Sequence, residues 1–303
     1  MSTNLAIRSK NNPLLTFKSD SCLGDNINGP SVIRVPEWIE SPLGKYYMYF
    51  AHHHGDHIRM AYADHIHGPW TVYKPGTLRL SDVSIFRSHI ASPDVHIDQE
   101  TQEIKMYFHG PTEEMHEQWT ALAISKNGLD FLPTEEIMGW SYFRVFEYNN
   151  TYYAIAMDGS SRCGVLYSSP DGKTPFVSGK QILKYVRHTA VTIRDDRLCI
   201  FYSRKGDSPE RILLSTIDLT KDWLEWEPSS PIDILWPEHD YEGIEHDNVP
   251  SEYGFAINVQ QLRDPCIFEE DGKTYLFYSY AGEMGIAMAE LNSSIFLFKE
   301  NTS

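Results

Sequence analysis

Two aspartates, Asp94 and Asp264, stand beside prolines at positions where we predict strands to begin. Arg263 precedes Asp264, and its cation would keep that carboxylate ionised and oriented. Two carboxylates held about 6.5 to 9.5 Å apart can move protons to and from a water molecule and a leaving group in a displacement that inverts configuration. An aspartate beside a proline can instead accept backbone N–H bonds in a turn, and the sequence leaves that alternative open.

Histidines accompany the two aspartates. His188 lies near another predicted strand start, where an imidazole, which titrates near neutral pH, can donate a proton. A histidine that only packs in the core or in a turn is the alternative. The run His52–His54 cannot place all of its rings on one zinc ion, because consecutive side chains of a strand alternate in direction. We therefore expect hydrogen bonds from this run to a ligand. The side chains predicted to bind a ligand are His53, His54, Arg144, Arg204, Arg263 and Trp140.

Arginines recur at the same strand ends, in a chain whose formal net charge is −16. A guanidinium fork recognises a carboxylate, a phosphate or vicinal hydroxyl groups, and it also pairs readily with acidic loops. Both interpretations stay open. The four arginines that we place here are Arg144, Arg162, Arg204 and Arg263.

A segment rich in acidic and aromatic residues spans positions 236–247. A long loop in a compact domain is often a functional lid. We therefore take Glu242 as a candidate acid, with Glu238 and Glu245 as its alternatives. A solvated acidic loop is the other interpretation.

A group of strands that recurs five times would position these residues. The aromatic second strands of the repeat end at Phe50, Phe108, Ile155, Tyr202 and Tyr278, with spacings of 58, 47, 47 and 76 residues. A four-stranded propeller blade occupies about 40 to 50 residues, so the long interval marks an insertion at about 229–260. The pattern predicts an all-β domain over residues 1–303, a five-bladed β-propeller of antiparallel four-stranded blades. A β-sandwich is the alternative.

Propeller geometry would bring the candidate residues together. The inner-strand starts and the loops between second and third strands open on one face around the axis. We therefore expect Asp94, Asp264 and His188 in one central pocket, with His53 or His54 at its rim. Residues 14–17 or 295–298 would supply the outer strand that closes the ring.

Composition excludes several classes of partner. The 303 residues include 26 basic and 42 acidic side chains without a Lys/Arg-rich block, which argues against a nucleic-acid partner. Mean hydropathy is −0.40, and no apolar run approaches the roughly 20 residues of a membrane span. The chain start lacks an apolar leader, so we expect a cytoplasmic protein. Four scattered cysteines favour neither disulfides nor zinc. We expect no cofactor, with a metal ion near the axis as the alternative.

Two short motifs carry a resemblance to a known family. The run from Arg263 to Phe268, followed by 271–278, and the run from Ser92 to Val95 are similar to blades of five-bladed glycoside hydrolases related to family 43, of the arabinanase, xylosidase and neoagarobiose hydrolase types. The resemblance implies that Asp264 is a general base and that Asp94 tunes a pKa or orients a group. The chain departs from the family at Gly29, where an aspartate is expected, and in the third repeat, which lacks a Glu-Gly-Pro acid.

The resemblance implies a glycoside hydrolase that acts with inversion on a small oligosaccharide or glycoside. The missing acid leaves two alternatives open. One is a glycoside phosphorylase, in which arginine and histidine side chains hold phosphate in place of water. The other is a propeller that binds carbohydrate without turning it over. The oligomeric state is not predicted by any feature of the sequence.

Overall fold

The computed structural model describes residues 5–113 and 117–297, and these residues form five antiparallel four-stranded blades. Strands account for 53% of the residues and helices for 6%, which confirms the predicted all-β five-bladed propeller. The inner strand of each blade contacts the inner strands of its two neighbours, so the five blades close into a ring around one axis. No helix within the described ranges is long and apolar enough to cross a membrane.

The strands follow one another from the axis outward in each blade. Blade 1 contains Asn28–Arg34, Tyr46–Ala51, His57–Ala63 and Thr71–Arg79. Blade 2 contains Ala91–Asp98, Glu103–Pro111, Gln118–Ser125 and the first half of Leu132–Tyr148. Blade 3 contains the second half of that strand with Thr151–Met157, Cys163–Ser169 and Val177–Lys184. Blade 4 contains Val186–Arg194, Arg197–Arg204, Ile212–Asp218 and Ile232–Leu235, and blade 5 contains Arg263–Glu270, Lys273–Tyr280, Gly285–Leu291 and Ala6–Arg8.

Short 3-10 turns connect some of these strands. They lie at Ser21–Leu23, Leu80–Asp82, Trp223–Glu225, Asp240–Glu242 and Ser293–Phe296. Ile232–Leu235 falls inside the predicted insertion but pairs as the outer strand of blade 4. The segment that links blade 4 to blade 5 therefore runs over residues 236–262.

The amino-terminal part of the chain closes the ring. Ala6–Arg8 pairs antiparallel with the far half of Gly285–Leu291, and Leu15–Thr16 pairs with the near half. The segment 14–17, one of the two that were expected to close the ring, thus contributes only a two-residue pairing. The main closing strand, Ala6–Arg8, comes before it in the chain. The other segment, 295–298, starts inside the 3-10 turn Ser293–Phe296, and Phe298 lies outside the described residues.

Apolar side chains fill the spaces between blades rather than the axis. Five buried clusters occur, one between each pair of neighbouring blades. The aromatic second strands supply much of them: Tyr47 and Tyr49 pack between blades 1 and 2, and Phe277 packs between blades 5 and 1. Each such side chain contributes about 1.5 to 3 kcal/mol by leaving water. Because the apolar side chains are buried between the blades, the residues around the axis need not be apolar.

Every inner strand has a register irregularity at its axial start. In four blades the residue at this point has a left-handed backbone: Gly29, Ser92, Tyr142 and Asp264, with φ of 59°, 47°, 62° and 51°. A bulge re-aims the side chain that it carries. A non-glycine residue with positive φ costs about 1 to 2 kcal/mol, and such strain is concentrated at functional sites. The fold thus places a left-handed residue at the axial start of the inner strand in four of the five blades, all around one end of the axis.

Candidate active site

Asp264 and His188 form the centre of this axial end. The Oδ1 atom of Asp264 contacts Nδ1 of His188 directly, and both side chains are buried, at 0% and 8% exposed. Oδ2 of Asp264 accepts a hydrogen bond from the Gly29 amide at 3.4 Å. Because each partner lies at an inner-strand start, blades 4 and 5 hold the pair between them.

Electrostatics keep Asp264 ionised. Burial raises the pKa of its carboxyl, but the contact with His188 and the charges of Arg263 and Arg187 outweigh burial, so the pKa lies well below its usual range. An ionised carboxylate against Nδ1 fixes the ring orientation of a histidine and favours the tautomer with a proton on that nitrogen. The other ring nitrogen, Nε2, then remains available for proton transfer.

Nε2 of His188 faces a confined recess. Ser92 Oγ lies 3.4 Å from it, and the ring of Tyr142 packs edge-on against the imidazole with a centroid distance of 4.2 Å. The ring of Tyr142 also contacts that of His109, at a centroid distance of 4.2 Å. The recess measures about 10 Å³, which is about the room that one water molecule needs.

A wider pocket of about 350 Å³ adjoins this recess. His53, Gln118 and Tyr142 line both spaces, so the recess and the pocket are next to each other. The other walls of the pocket include Glu117, Met157, Arg162 and Tyr253. Its size falls within the range of about 300 to 1,000 Å³ that is usual for small-molecule sites.

Glu283 and His53 form a second carboxylate–histidine pair at this pocket. Oε2 of Glu283 lies 3.5 Å from Nδ1 of His53 and accepts hydrogen bonds from Asn26 and Asn28 at 2.7 and 2.8 Å. Burial raises the pKa of Glu283, but the hydrogen bond to His53 and the charge of Arg263 outweigh it, so the pKa is lowered. Two histidines, each backed by a buried carboxylate, therefore line one recess.

Arg263 holds the carboxylate of Glu283 by an ion pair. The guanidinium is fully buried and pairs with Glu283 and with Glu210, each at 3.1 Å. Glu210 also accepts hydrogen bonds from Arg187 Nε at 2.8 Å and Ser203 Oγ at 2.6 Å. Arg263 was predicted to bind a ligand, but its guanidinium is buried in ion pairs with Glu283 and Glu210 and does not line the pocket or the recess.

Asp94 and Arg144 lie one layer further along the axis. They line a separate cavity of about 440 Å³, so the structure does not bring Asp94 into the pocket beside Asp264. Asp94 accepts hydrogen bonds from His96 Nε2 and from the Val145 amide, each at 2.8 Å. Burial raises its pKa, but His96 and Arg144 outweigh burial and lower it. Arg144 is 4% exposed rather than at the funnel mouth.

Glu242 lies far from the axis, which corrects its candidacy as the acid. Its carboxylate is fully buried and accepts hydrogen bonds from Arg8, from the Tyr278 hydroxyl and from the amides of Glu238 and His239. These five bonds saturate both oxygens. The role of Glu242 is to anchor the 236–262 segment to blade 5.

The remaining predicted ligands have mixed positions. His54 is exposed at the rim, where its ring lies 4.9 Å from that of His53. Trp140 stacks on Trp119 at 4.2 Å beside the pocket. Arg204 is engaged by Asp207 at 3.3 Å, which is the ion pair that the sequence left as the alternative.

Several residues of the site were not selected from the sequence. Glu283, Tyr142 and Tyr253 all fall in segments that the repeat places near the axial face or in the link, but their types gave no distinguishing signal. For Glu283, the only usable signal is its position in the loop after the second strand of blade 5. No group of three or more His, Cys, Asp or Glu residues within the described ranges could hold a metal ion.

A comparison with other sequences finds one viral relative. The chain is 36% identical to "Uncharacterized protein R118" of Acanthamoeba polyphaga mimivirus, over an alignment that covers 88% of this chain and 83% of that protein. No protein-family model matches the chain.

Solved structures share the architecture at low sequence identity. A glycosyl hydrolase from Bacteroides ovatus superposes with a TM-score of 0.70 at 10% identity, over 95% of this chain and 94% of that chain. The GH43_1 enzyme from Xanthomonas citri, complexed with xylotriose, gives 0.65 at 13% identity over 95% and 91%. An alpha-L-arabinofuranosidase from Lactobacillus brevis gives 0.62 at 16% identity over 92% of each chain. The fold is therefore that of the family-43 glycoside hydrolases.

Proposed function

This chain belongs to the same family as the mimivirus protein and has the fold of the family-43 glycoside hydrolases, and on that premise we propose that it is a glycoside hydrolase. The observation that carries the proposal is the contact between Asp264 and His188 at the axial end of the inner strands. This pair adjoins a pocket of suitable size. A buried carboxylate that orients an imidazole beside a pocket is an arrangement suited to proton transfer.

The attacking water occupies the recess in this mechanism. His188 Nε2 accepts a proton from the water as the water attacks the anomeric carbon, while Asp264 stabilises the imidazolium that forms. Asp264 itself is fully buried and its pKa is held low. A carboxylate of low pKa is a weak base, whereas an imidazole suits proton transfer near neutral pH. Asp264 therefore acts on the water through His188.

His53 supplies the acid. It lines both the recess and the pocket, and the Glu283 carboxylate lies 3.5 Å from its Nδ1. His53 donates its proton to the glycosidic oxygen as the bond to the leaving group breaks. In hydrolysis with inversion, the base-activated water attacks the anomeric carbon from the face opposite the leaving group that the acid protonates. In this mechanism His188 is that base and His53 is that acid. This assignment fills the place of the acid that the third repeat lacks.

Substrate size follows from the pocket. The Xanthomonas citri enzyme was crystallised with xylotriose and with xylose. By analogy, the substrate here is a small oligosaccharide or glycoside with one ring seated above the recess. The residues named so far perform the chemistry without a cofactor.

The test is a screen of aryl glycosides and defined oligosaccharides, followed by proton NMR of the first-formed anomer. We expect turnover of one glycoside class with inversion at the anomeric carbon. Retention of configuration would contradict the two-histidine mechanism. Sugar binding without any turnover would identify a carbohydrate-binding propeller instead, and a strict requirement for inorganic phosphate would identify a phosphorylase.

A further inference from the structure

Three cations surround one aromatic ring at the pocket wall. The Arg162 guanidinium lies 4.3 Å from the centroid of the Tyr253 ring, the Lys205 ammonium 4.9 Å and the Arg187 guanidinium 5.5 Å. Arg162 and Tyr253 line the pocket directly. Such a concentration of positive charge stands out in a chain with a net charge of −16.

Two of these cations lack an acidic partner among the residues that the structure describes. Arg187 pairs with Glu210 at 2.8 Å, but neither Arg162 nor Lys205 forms an ion pair with any residue that the structure describes. By contrast, Arg204 on the same face is engaged by Asp207. The charge of Arg162 is therefore available to a ligand.

The backbone that carries Arg162 is held in place. The Asp158 carboxylate accepts hydrogen bonds from Ser160 and Ser161, through both amides and both hydroxyls, at 2.6 to 3.3 Å. The Arg162 amide then donates to the Asp158 carbonyl at 2.9 Å, and the Arg162 carbonyl accepts from the Tyr185 amide at 2.8 Å. A pre-organised arm loses less entropy when its side chain binds a ligand.

We propose that the pocket selects a glycoside that carries a carboxylate, as a hexuronic acid does, and that Arg162 is the residue that reads it. A guanidinium binds a carboxylate through two parallel N–H···O bonds, and Lys205 adds an unneutralised charge behind it. Tyr253 lines the same pocket beside these charges. Glu117 lines the same pocket and would repel the carboxylate, so the acid group lies on the Arg162 side. This inference rests on the proposed hydrolase function and names its substrate class.

The experiment compares acidic and neutral sugars that differ only at the terminal carbon. Binding of D-glucuronate and D-galacturonate is measured by calorimetry beside D-glucose and D-galactose. We expect at least one uronate to bind tenfold or more tightly than its neutral counterpart, and its affinity to fall as NaCl is raised. Arg162→Gln removes that preference and leaves the neutral sugars within twofold. Arg204→Gln, which removes the same charge from the same face, changes uronate affinity less than twofold.

Several outcomes overturn the inference. Equal binding of acidic and neutral sugars does so, and so does an equal loss in Arg162→Gln and Arg204→Gln, which would show only an effect of net charge. Tighter binding of inorganic phosphate than of either uronate, lost in Arg162→Gln, assigns the cation to phosphate instead. Efficient hydrolysis of neutral glycosides without uronate preference overturns this inference and leaves the hydrolase function standing. Selective uronate binding with no glycoside hydrolysed supports the carboxylate site and overturns the hydrolase function.

Discussion

Glu242 and Asp264 are fully buried carboxylates at two sides of blade 5, and their surroundings differ. Glu242, on the outer side of the blade, accepts five hydrogen bonds, including two from Arg8 at 2.7 and 2.9 Å. Asp264, at the axial end, has the His188 contact and one long bond from the Gly29 amide at 3.4 Å. A saturated carboxylate stabilises the fold, whereas a sparsely bonded one beside a recess is poised for chemistry. Burial alone does not distinguish the two roles, but hydrogen-bond saturation does.

The largest effect on the axial side is expected from His188→Gln. Glutamine keeps a polar group of similar reach but cannot accept a proton from water at neutral pH. Turnover of the glycoside found in the screen should therefore fall by about 10²-fold to 10³-fold. His96→Gln is the matched control, because His96 pairs with Asp94 in the other axial cavity. A His188→Gln protein that keeps a tenth of normal turnover would remove His188 from the mechanism.

Glu242→Gln tests the outer side of the comparison. Arg8 would lose its buried ionic partner, and breaking such a pair costs about 3 kcal/mol or more. We expect the free energy of unfolding in urea to fall by about 2 to 3 kcal/mol, since Glu238 still holds Arg8 at 2.7 Å. The value of kcat/KM should change less than threefold.

Glu238→Gln is the control for that variant. Glu238 is 55% exposed in its pair with Arg8, and exposed ion pairs contribute about 0 to 1 kcal/mol. A large loss of activity with unchanged stability in Glu242→Gln would reverse the assignment of the two carboxylates.

A smaller effect concerns His89, which also lines the recess. Burial, together with the nearby His53 and His54, lowers the pKa of His89 to about 4. Between pH 6.5 and 4 the unfolded chain therefore takes up a proton that the folded chain does not, so stability falls as pH falls through that window. With allowance for partial exposure, the loss is about 1 to 2 kcal/mol. His89→Gln should flatten urea midpoints measured from pH 7 to 4.5, and an unchanged slope would refute the attribution.

The blades were predictable because their signals are local. Aromatic second strands such as Tyr46–Ala51 and Lys273–Tyr280 are buried on both faces between blades, and that burial requires near-continuous apolar runs at a regular spacing. Ring closure then fixes where the inner strands begin. The meeting of Asp264 with His188 follows from that geometry.

The rest of the site depends on backbone detail that spacing does not report. Arg144 follows the left-handed Tyr142 by two residues, and the bulge there places its side chain in the next axial layer. Glu242 and Glu283 are both loop glutamates, and only the path of each loop sends one to Arg8 and the other to His53. Such paths are set by contacts between residues far apart in the chain.

The most direct test of the account is kcat/KM of Asp264→Asn on the same glycoside, with the melting temperature measured alongside. Asparagine keeps the shape and one acceptor oxygen for His188 but removes the charge that stabilises the imidazolium. We expect kcat/KM to fall by at least about 10²-fold while the melting temperature changes little. A well-folded Asp264→Asn protein with normal kcat/KM would show that Asp264 only caps a turn, and it would contradict the central claim.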